Sequence, residues 1–219
     1  MIRVVVVDDE ALVRMGFSHI LDAAGDIEVV AAVDGREAAS QVREHQPDLV
    51  LLDIRMPGVD GLTVLAQLRA MPQPPIVAML TTFDSDEYVA TALRSGANGF
   101  LLKDTEPGQL AHLVRALAGG EVVLSSKVTK TVVDGYLGDA VDPATASRLA
   151  RLSDREHEVL LLIAEGLPNA EIGSRMHLSV GTVKDHVSAI LTKLEVGNRV
   201  QAALLAERAG LLRSGRKKS

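Results

Sequence analysis

Apolar residues gather in five short runs along roughly the first half of the chain: Ile2 to Val7, Ile27 to Val33, Asp48 to Leu52, Pro75 to Leu80 and Gly99 to Leu102. Each run is followed by a polar turn and a stretch with helical periodicity. The runs are nearly continuous in Val, Ile and Leu rather than alternating, as parallel strands covered on both faces require. Between them, Ala11 to Ala24, Gly61 to Ala70 and Ser85 to Ser95 place apolar residues three and four apart. Five such βα units predict an α/β fold, a doubly wound five-stranded parallel sheet.

The pattern changes near Arg151. Ser153 and Glu156 stand in capping-box spacing and predict a helix running to about Glu165, where Gly166-Leu167-Pro168 breaks it. A short segment, Ala170 to His177, precedes Leu178-Ser179 and a helix from Val180 to about Val196. Val200 to Leu212 also reads as helical, so this half is a small all-α domain. At 100° per residue, Val180, Val183, Val187, Ile190, Leu191 and Leu194 form one inward stripe. Gly181, Asp185, Ser188, Ala189 and Thr192 face outward, flanked by Lys184 and His186. The expected organisation is a first domain over 1–120, a linker over 121–150 with a possible helix behind Ser125-Ser126, a helical domain over 151–213 and a basic tail over 214–219.

Composition sets limits on chemistry. The 219 residues are 47% hydrophobic and 24% charged, enough apolar material for packed cores. There is no cysteine, which excludes disulfides, thiolate metal sites and a thiol nucleophile. Five aromatic residues, Phe17, Phe83, Phe100, Tyr88 and Tyr136, are too few for a base-stacking platform or an aromatic-lined ligand pocket. No apolar run approaches a membrane span, and Met1-Ile2-Arg3 leading to Asp8-Asp9 lacks the form of a signal peptide. A cytoplasmic protein with no membrane partner is expected. The net charge of −6 argues weakly against nucleic acid, but it averages two opposed halves. Residues 1–150 carry 12 Lys+Arg against 21 Asp+Glu, a balance of −9, and residues 151–219 carry 11 against 8, a balance of +3.

In an open α/β sheet the ligand site lies beyond the carboxyl ends of the strands. The residues there are Asp8 with Asp9, Asp53, Thr81 with Thr82, and Lys103. Three converging carboxylates repel one another, and a hard divalent cation with oxygen ligands supplies the counter-charge. Asp8 or Asp9 as a plain helix cap, Lys103 as a solvated strand-end lysine and Phe100 as a core residue are the bland readings of the same positions.

The order of these pieces resembles two-component response regulators of the NarL/FixJ type, a flavodoxin-like receiver joined to a LuxR-type helix-turn-helix, over nearly the full chain. The receiver motifs are Val7-Asp8-Asp9-Glu10, Asp53-Ile54-Arg55-Met56-Pro57-Gly58 with Asp60-Gly61, Leu80-Thr81-Thr82, and Gly96 to Lys103. The resemblance implies that Asp53 accepts a phosphoryl group from a sensor histidine kinase or a small phosphodonor. It implies Mg²⁺ held by Asp9, Asp53 and the Arg55 carbonyl, with Asp8 acting through water. Thr81 and Lys103 would bind the phosphoryl oxygens, Phe100 would be the switch aromatic, and Arg55, Thr82 and Phe83 would tune phosphoryl lifetime. In the helical half, Leu152 to Leu160, Glu165 to Ile172, Leu178 to Val187 and Lys193 to Val196 resemble the LuxR-type signature. This implies that Thr182, Lys184, His186 and Lys193 approach the DNA backbone, with Lys184, Asp185 and Ser188 nearest the bases.

Two positions depart from the family. Pro168 stands where a Ser or Thr usually caps the scaffold helix, so Asn169 is expected to take over the cap. Asp185 sets an acid toward a polyanion, with no cation three or four residues away; it either accepts from cytosine N4 or weakens non-specific binding. A phosphatase of the haloacid-dehalogenase type also uses an aspartate nucleophile with Mg²⁺, but its acid two residues on is Arg55 here. No Gly-Lys-Ser/Thr marks a P-loop, and the histidines lack metal-ligand spacing. The reading is a phosphorylation-controlled transcription factor, not an enzyme beyond modifying its own Asp53 and possible autodephosphorylation. It forms a homodimer on activation, binds double-stranded DNA and engages the transcription machinery. The alternative is a DNA-binding regulator whose receiver no longer takes phosphate; a sensor of a diffusible small molecule would need a lined cavity.

Overall fold

The computed structural model describes residues 1–82, 86–123, 143–209 and 211. The chain divides into two compact units, one containing residues 1–118 and the other residues 143–209. The helix expected behind Ser125-Ser126, the tail at 214–219 and Phe83 lie outside the described residues.

The first unit alternates strictly: β1 (Ile2–Val7), α1 (Ala11–Asp22), β2 (Ile27–Val33), α2 (Ala38–His45), β3 (Leu49–Asp53), α3 (Gly61–Arg69), β4 (Ile76–Thr81), α4 (Asp86–Arg94), β5 (Gly99–Leu102) and α5 (Pro107–Ala118). The strands form one sheet in the order β2-β1-β3-β4-β5, every pairing parallel. Val4 to Val7 and Leu49 to Leu52 are completely buried, which is why these runs are apolar at consecutive positions. On one face Phe17 and Leu21 of α1 and Leu110, Val114 and Leu117 of α5 pack on Val4, Val6, Leu49 and Leu51. The chain leaves β1 for β2 on one side and returns to β3 on the other, so strand order reverses between β1 and β3. The crevice beyond Val7 and Leu52, which are paired, is therefore where a ligand site belongs.

The second unit contains α6 (Pro143–Leu149), α7 (Asp154–Ala164), α8 (Asn169–Met176), α9 (Val180–Leu194) and α10 (Arg199–Arg208). Its core joins Val159, Leu160 and Ile163 of α7, Ile172 and Met176 of α8, Val183, Ile190 and Leu194 of α9, and Ala202 and Ala206 of α10. The capping box of α7 forms as expected: Ser153 accepts from Glu156 N and Glu156 accepts from Ser153 N. Gly166, at φ 86°, opens the break after α7 in a conformation that favours glycine. His177, in the left-handed region at φ 56°, turns the chain from α8 into α9.

Three expectations are corrected. The segment assigned to the linker contains α6, whose Arg148 donates to Leu194 O at 3.3 Å, so this helix belongs to the helical unit. Helix α9 stops at Leu194 rather than Val196, because Glu195 adopts the left-handed conformation. Val180 is 44% exposed, not part of the inward stripe, since the first residue of α9 lies beyond the reach of the helices that cover Val183 and Ile190.

Candidate functional site

Ladder hydrogen bonds extend past the strand ends and fix the positions of the first site. Asp8 N donates to Val33 O, Ile54 N to Leu80 O and Lys103 N to Thr81 O. Asp8, Asp53, Thr81 and Lys103 are thereby brought to one edge of the sheet. A Cβ on Gly61 would come within 2.1 Å of Asp53 O, so only glycine lets α3 start this close to the end of β3. Asp60 caps α3 by accepting from Leu62 N.

Asp8 and Asp53 are buried, and the Lys103 side chain is 10% exposed. Lys103 Nζ lies 2.8 Å from Asp8 Oδ2, 3.0 Å from Asp53 Oδ2 and 3.4 Å from Glu10 Oε1. Asp8 Oδ1 accepts from Glu10 N and Asp53 Oδ1 from Arg55 N. Burial raises the Asp53 carboxyl above its ordinary range, opposed by the bond from Lys103. Burial acts against the Lys103 charge as well, but the two carboxylates outweigh it and hold the ammonium above its usual value. Thr81 Oγ1 is buried and makes no hydrogen bond among the described residues, whereas Asp8 Oδ2 meets only the Lys103 ammonium. Such an orphan hydroxyl is costly in a fold, and it marks valence open to another group.

One carboxylate oxygen from each of Asp8, Asp9 and Asp53 lies within 4.8 Å of the others. All three are hard oxygen donors, with Asp9 open to solvent, which suits a hydrated dication such as Mg²⁺. Neither aspartate caps α1: the residue in that position is Glu10, whose side chain makes no capping bond. Phe100 is buried opposite Met79 in the sheet. The Arg55 guanidinium sits 5.2 Å from the Tyr88 ring centroid, over the ring. Sequence reasoning missed Glu10 and Tyr88 as partners, and also Arg14, which donates to Asp8 O at 2.7 Å and Asp9 O at 3.1 Å and steadies the acidic turn. Position gives a signal for Arg14 alone, one turn into the helix that follows the aspartates.

The second site is the open face of α9. Ser179 caps this helix by accepting from Thr182 N, and its Oγ lies 2.8 Å from Thr182 Oγ1. Thr182, Lys184, Asp185 and Ser188 are exposed and His186 is half-buried. Lys193, expected on the DNA backbone, donates in this structure to Glu156 Oε1 at 2.8 Å and Oε2 at 2.6 Å. Asn169 does not cap α8. Its Oδ1 accepts from Arg199 Nη1 at 2.7 Å, and Arg199 also donates to Leu167 O. Burial lowers the Arg199 guanidinium to about 10, still charged near neutrality, so it must find acceptors and takes the one that the cap required.

A parallel sheet with an acidic, lysine-clamped crevice, followed by a helix-turn-helix, defines a phosphoryl-acceptor class of regulator. Residues 4–115 match the response regulator receiver domain family, and residues 150–206 match the bacterial regulatory proteins of the luxR family. The chain is similar to the transcriptional regulatory protein LiaR of Bacillus subtilis strain 168, at 39% identity over 97% of this chain and 100% of that protein. It is 38% identical to the response regulator protein VraR of Staphylococcus aureus over 96% of this chain and 99% of the relative. Among solved structures, the response regulator ChrA of a heme-sensing two-component system aligns over 96% of this chain and 98% of its own, at 34% identity and a TM-score of 0.51. The receiver domain of the putative response regulator NarL from Mycobacterium tuberculosis covers 54% of this chain and 97% of its own, at 40% identity and a TM-score of 0.52. The protein belongs to the two-component response regulators that join a receiver domain to a LuxR-type DNA-binding domain.

Proposed function

We propose that Asp53 is the phosphoryl acceptor and that its modification controls binding of the helical unit to double-stranded DNA. A carboxylate oxygen of Asp53 attacks the phosphorus of a kinase phosphohistidine; the P–N bond breaks and the electron pair returns to the imidazole. Asp9, Asp53 and the Arg55 carbonyl would hold Mg²⁺, with Asp8 acting through water, and the ion would neutralise charge on the transferred group. Lys103 exchanges its bonds to Asp8 and Asp53 for a phosphoryl oxygen, and Thr81 Oγ1 donates to another. Phe100, on the edge strand β5 opposite Met79, carries the change into the α4–β5 face, and the chain dimerises on paired half-sites. Slow attack of water on the acyl phosphate resets the site.

The observation that carries this reading is the buried Thr81 Oγ1, without a hydrogen bond among the described residues, at the sheet edge where Lys103 holds both Asp8 and Asp53. In the helical unit, Thr182, Lys184, His186 and Ser188 meet the duplex, while Lys193 acts by fixing the end of α9 against α7. Contact with the transcription machinery follows from the role on DNA, in the cytoplasm. Among the described residues, no helix is long and apolar enough to cross a membrane.

The test is incubation with acetyl phosphate and Mg²⁺, read by intact mass and followed by DNA binding at fixed salt. Wild type gains one phosphoryl mass and binds DNA more tightly, and Asp53→Asn gains none. A wild type that takes no phosphate, or whose DNA binding ignores it, overturns the control mechanism.

A further inference from the structure

The outward line of α9 is built from hydrogen-bond acceptors. Opposite the buried Val183, Ile190 and Leu194, the residues Gly181, Asp185, Ser188 and Thr192 follow one another along the helix. Gly181 brings no side chain. Among the described residues, no hydrogen bond or ion pair engages the exposed Asp185 carboxylate. Ser188 Oγ donates to Lys184 O at 3.0 Å, and Thr192 Oγ1 donates to Ser188 O at 3.0 Å. A hydroxyl has one proton, so each of these, bonded back to its own helix, turns only lone pairs outward; an ionised carboxylate accepts and never donates. Three successive groups on the line therefore accept, and Lys184 stands beside them as a donor.

That chemistry selects its partner on a duplex. Phosphate oxygens are acceptors and anionic, so this line is repelled from the backbone. In the major groove the donors are the exocyclic amines, cytosine N4 and adenine N6. From Asp185 to Thr192 the helix rises about 10 Å, or about three base-pair steps. We propose that this line reads the amino groups of the major groove, with Asp185 the main specificity-determining residue, accepting from a cytosine N4. The proposal rests on the DNA-binding reading above. Lys184, the donor beside the line, then serves a neighbouring phosphate.

The experiment uses the full chain, phosphorylated with acetyl phosphate and unmodified, to select duplexes from a randomised pool at 150 mM salt. The enriched site is then rebuilt with 2-pyrimidinone, which lacks the N4 amine, in place of the selected cytosine. Wild type should enrich a fixed cytosine in each half-site and lose on the order of tenfold affinity when the amine is removed. Asp185→Ala should lose that preference and ignore the amine, and Asp185→Asn, which can pair with adenine N6 and N7, should move the preference toward adenine. If Asp185→Ala binds every duplex more tightly with the same preference, or feels amine removal as wild type does, the inference falls while DNA binding stands. If wild type enriches no sequence in either form, the DNA-binding reading falls and takes the inference with it.

Discussion

Two lysines, one in each unit, hold carboxylates at almost the same distances and differ in what surrounds them. Lys193 meets Glu156, whose Oε2 also accepts from Ser153 N and Ser153 Oγ, so the carboxylate is fully used. The bond from Lys193, then those from Ser153, hold Glu156 at about 2. Lys103 meets Asp8 and Asp53, yet Thr81 Oγ1, brought to the same sheet edge, is buried with no hydrogen bond among the described residues, and Asp53 is raised, by burial, rather than lowered. An ion pair that satisfies every atom is a structural clamp. One that shares its sheet edge with a buried hydroxyl lacking a partner, and with a carboxyl raised by burial, suits a place-holder for another group, in the proposed function a cation and a phosphoryl.

The sharpest way to break this comparison is to remove each lysine's charge. Lys103→Met strands two buried carboxylates without a counter-charge, and the first unit should lose about 3 kcal/mol of stability at neutral pH without divalent ions. The loss should shrink as pH falls and the carboxylates protonate, and millimolar Mg²⁺ should restore part of it. Lys193→Met, at a lysine 39% exposed, should cost the second unit about 1 kcal/mol or less, indifferent to Mg²⁺. Hydrogen exchange resolved by peptide reads both units in the full chain. A Mg²⁺ response in the Lys193 variant, or none in the Lys103 variant, would mean that the two clamps are not different in kind.

Next in size is the clamp itself. Glu156→Ala removes the capping box and the ion pair together and should cost about 2 kcal/mol. Glu156 is held at about 2 when folded, against 4.5 ordinarily, so its contribution is fully present above pH 4.5 and is lost as pH falls from about 4.5 toward 2. Amide protection across Ser153 to Leu160 should fall through that window in wild type, and Glu156→Gln should flatten the response. An unchanged acid profile in Glu156→Gln would assign the acid sensitivity elsewhere.

How far the two sites were legible in the sequence follows from the range of the contacts that make them. Asp8, Asp53, Thr81 and Lys103 each end an apolar run, so the parallel sheet alone carries them to one edge, and local pattern suffices. The helical unit was harder. The Lys193 and Glu156 clamp spans 37 residues, and the bond from Arg199 to Asn169 spans 30. Neither leaves a periodic trace. Asn169 looked free to cap α8 because nothing local announces a buried guanidinium thirty positions on. Helix α6 falls inside the predicted linker because its seven residues are too few for helical periodicity, and its anchor, Leu194 O, comes from tertiary packing. Val180 has the composition of a core position and lacks the neighbours.

The smallest effect separates lysines within the DNA-binding unit. If the Lys193 ammonium stays on Glu156, it releases no counterion when DNA binds, whereas Lys184, exposed and without an ion pair among the described residues, is available to do so. Each phosphate neutralised contributes about 0.9 to the slope of log K against log salt on a duplex. Lys184→Gln should therefore flatten that slope by about one unit, worth about 1 kcal/mol at physiological salt, and Lys193→Gln should leave the slope unchanged while lowering the stability of the fold. Equal loss of slope in both variants would show that Lys193 swings from Glu156 to the backbone on binding. Its clamp would then be a place-holder too, and the contrast with Lys103 would become one of timing, with one lysine released by a phosphoryl group on the protein and the other by the phosphates of DNA.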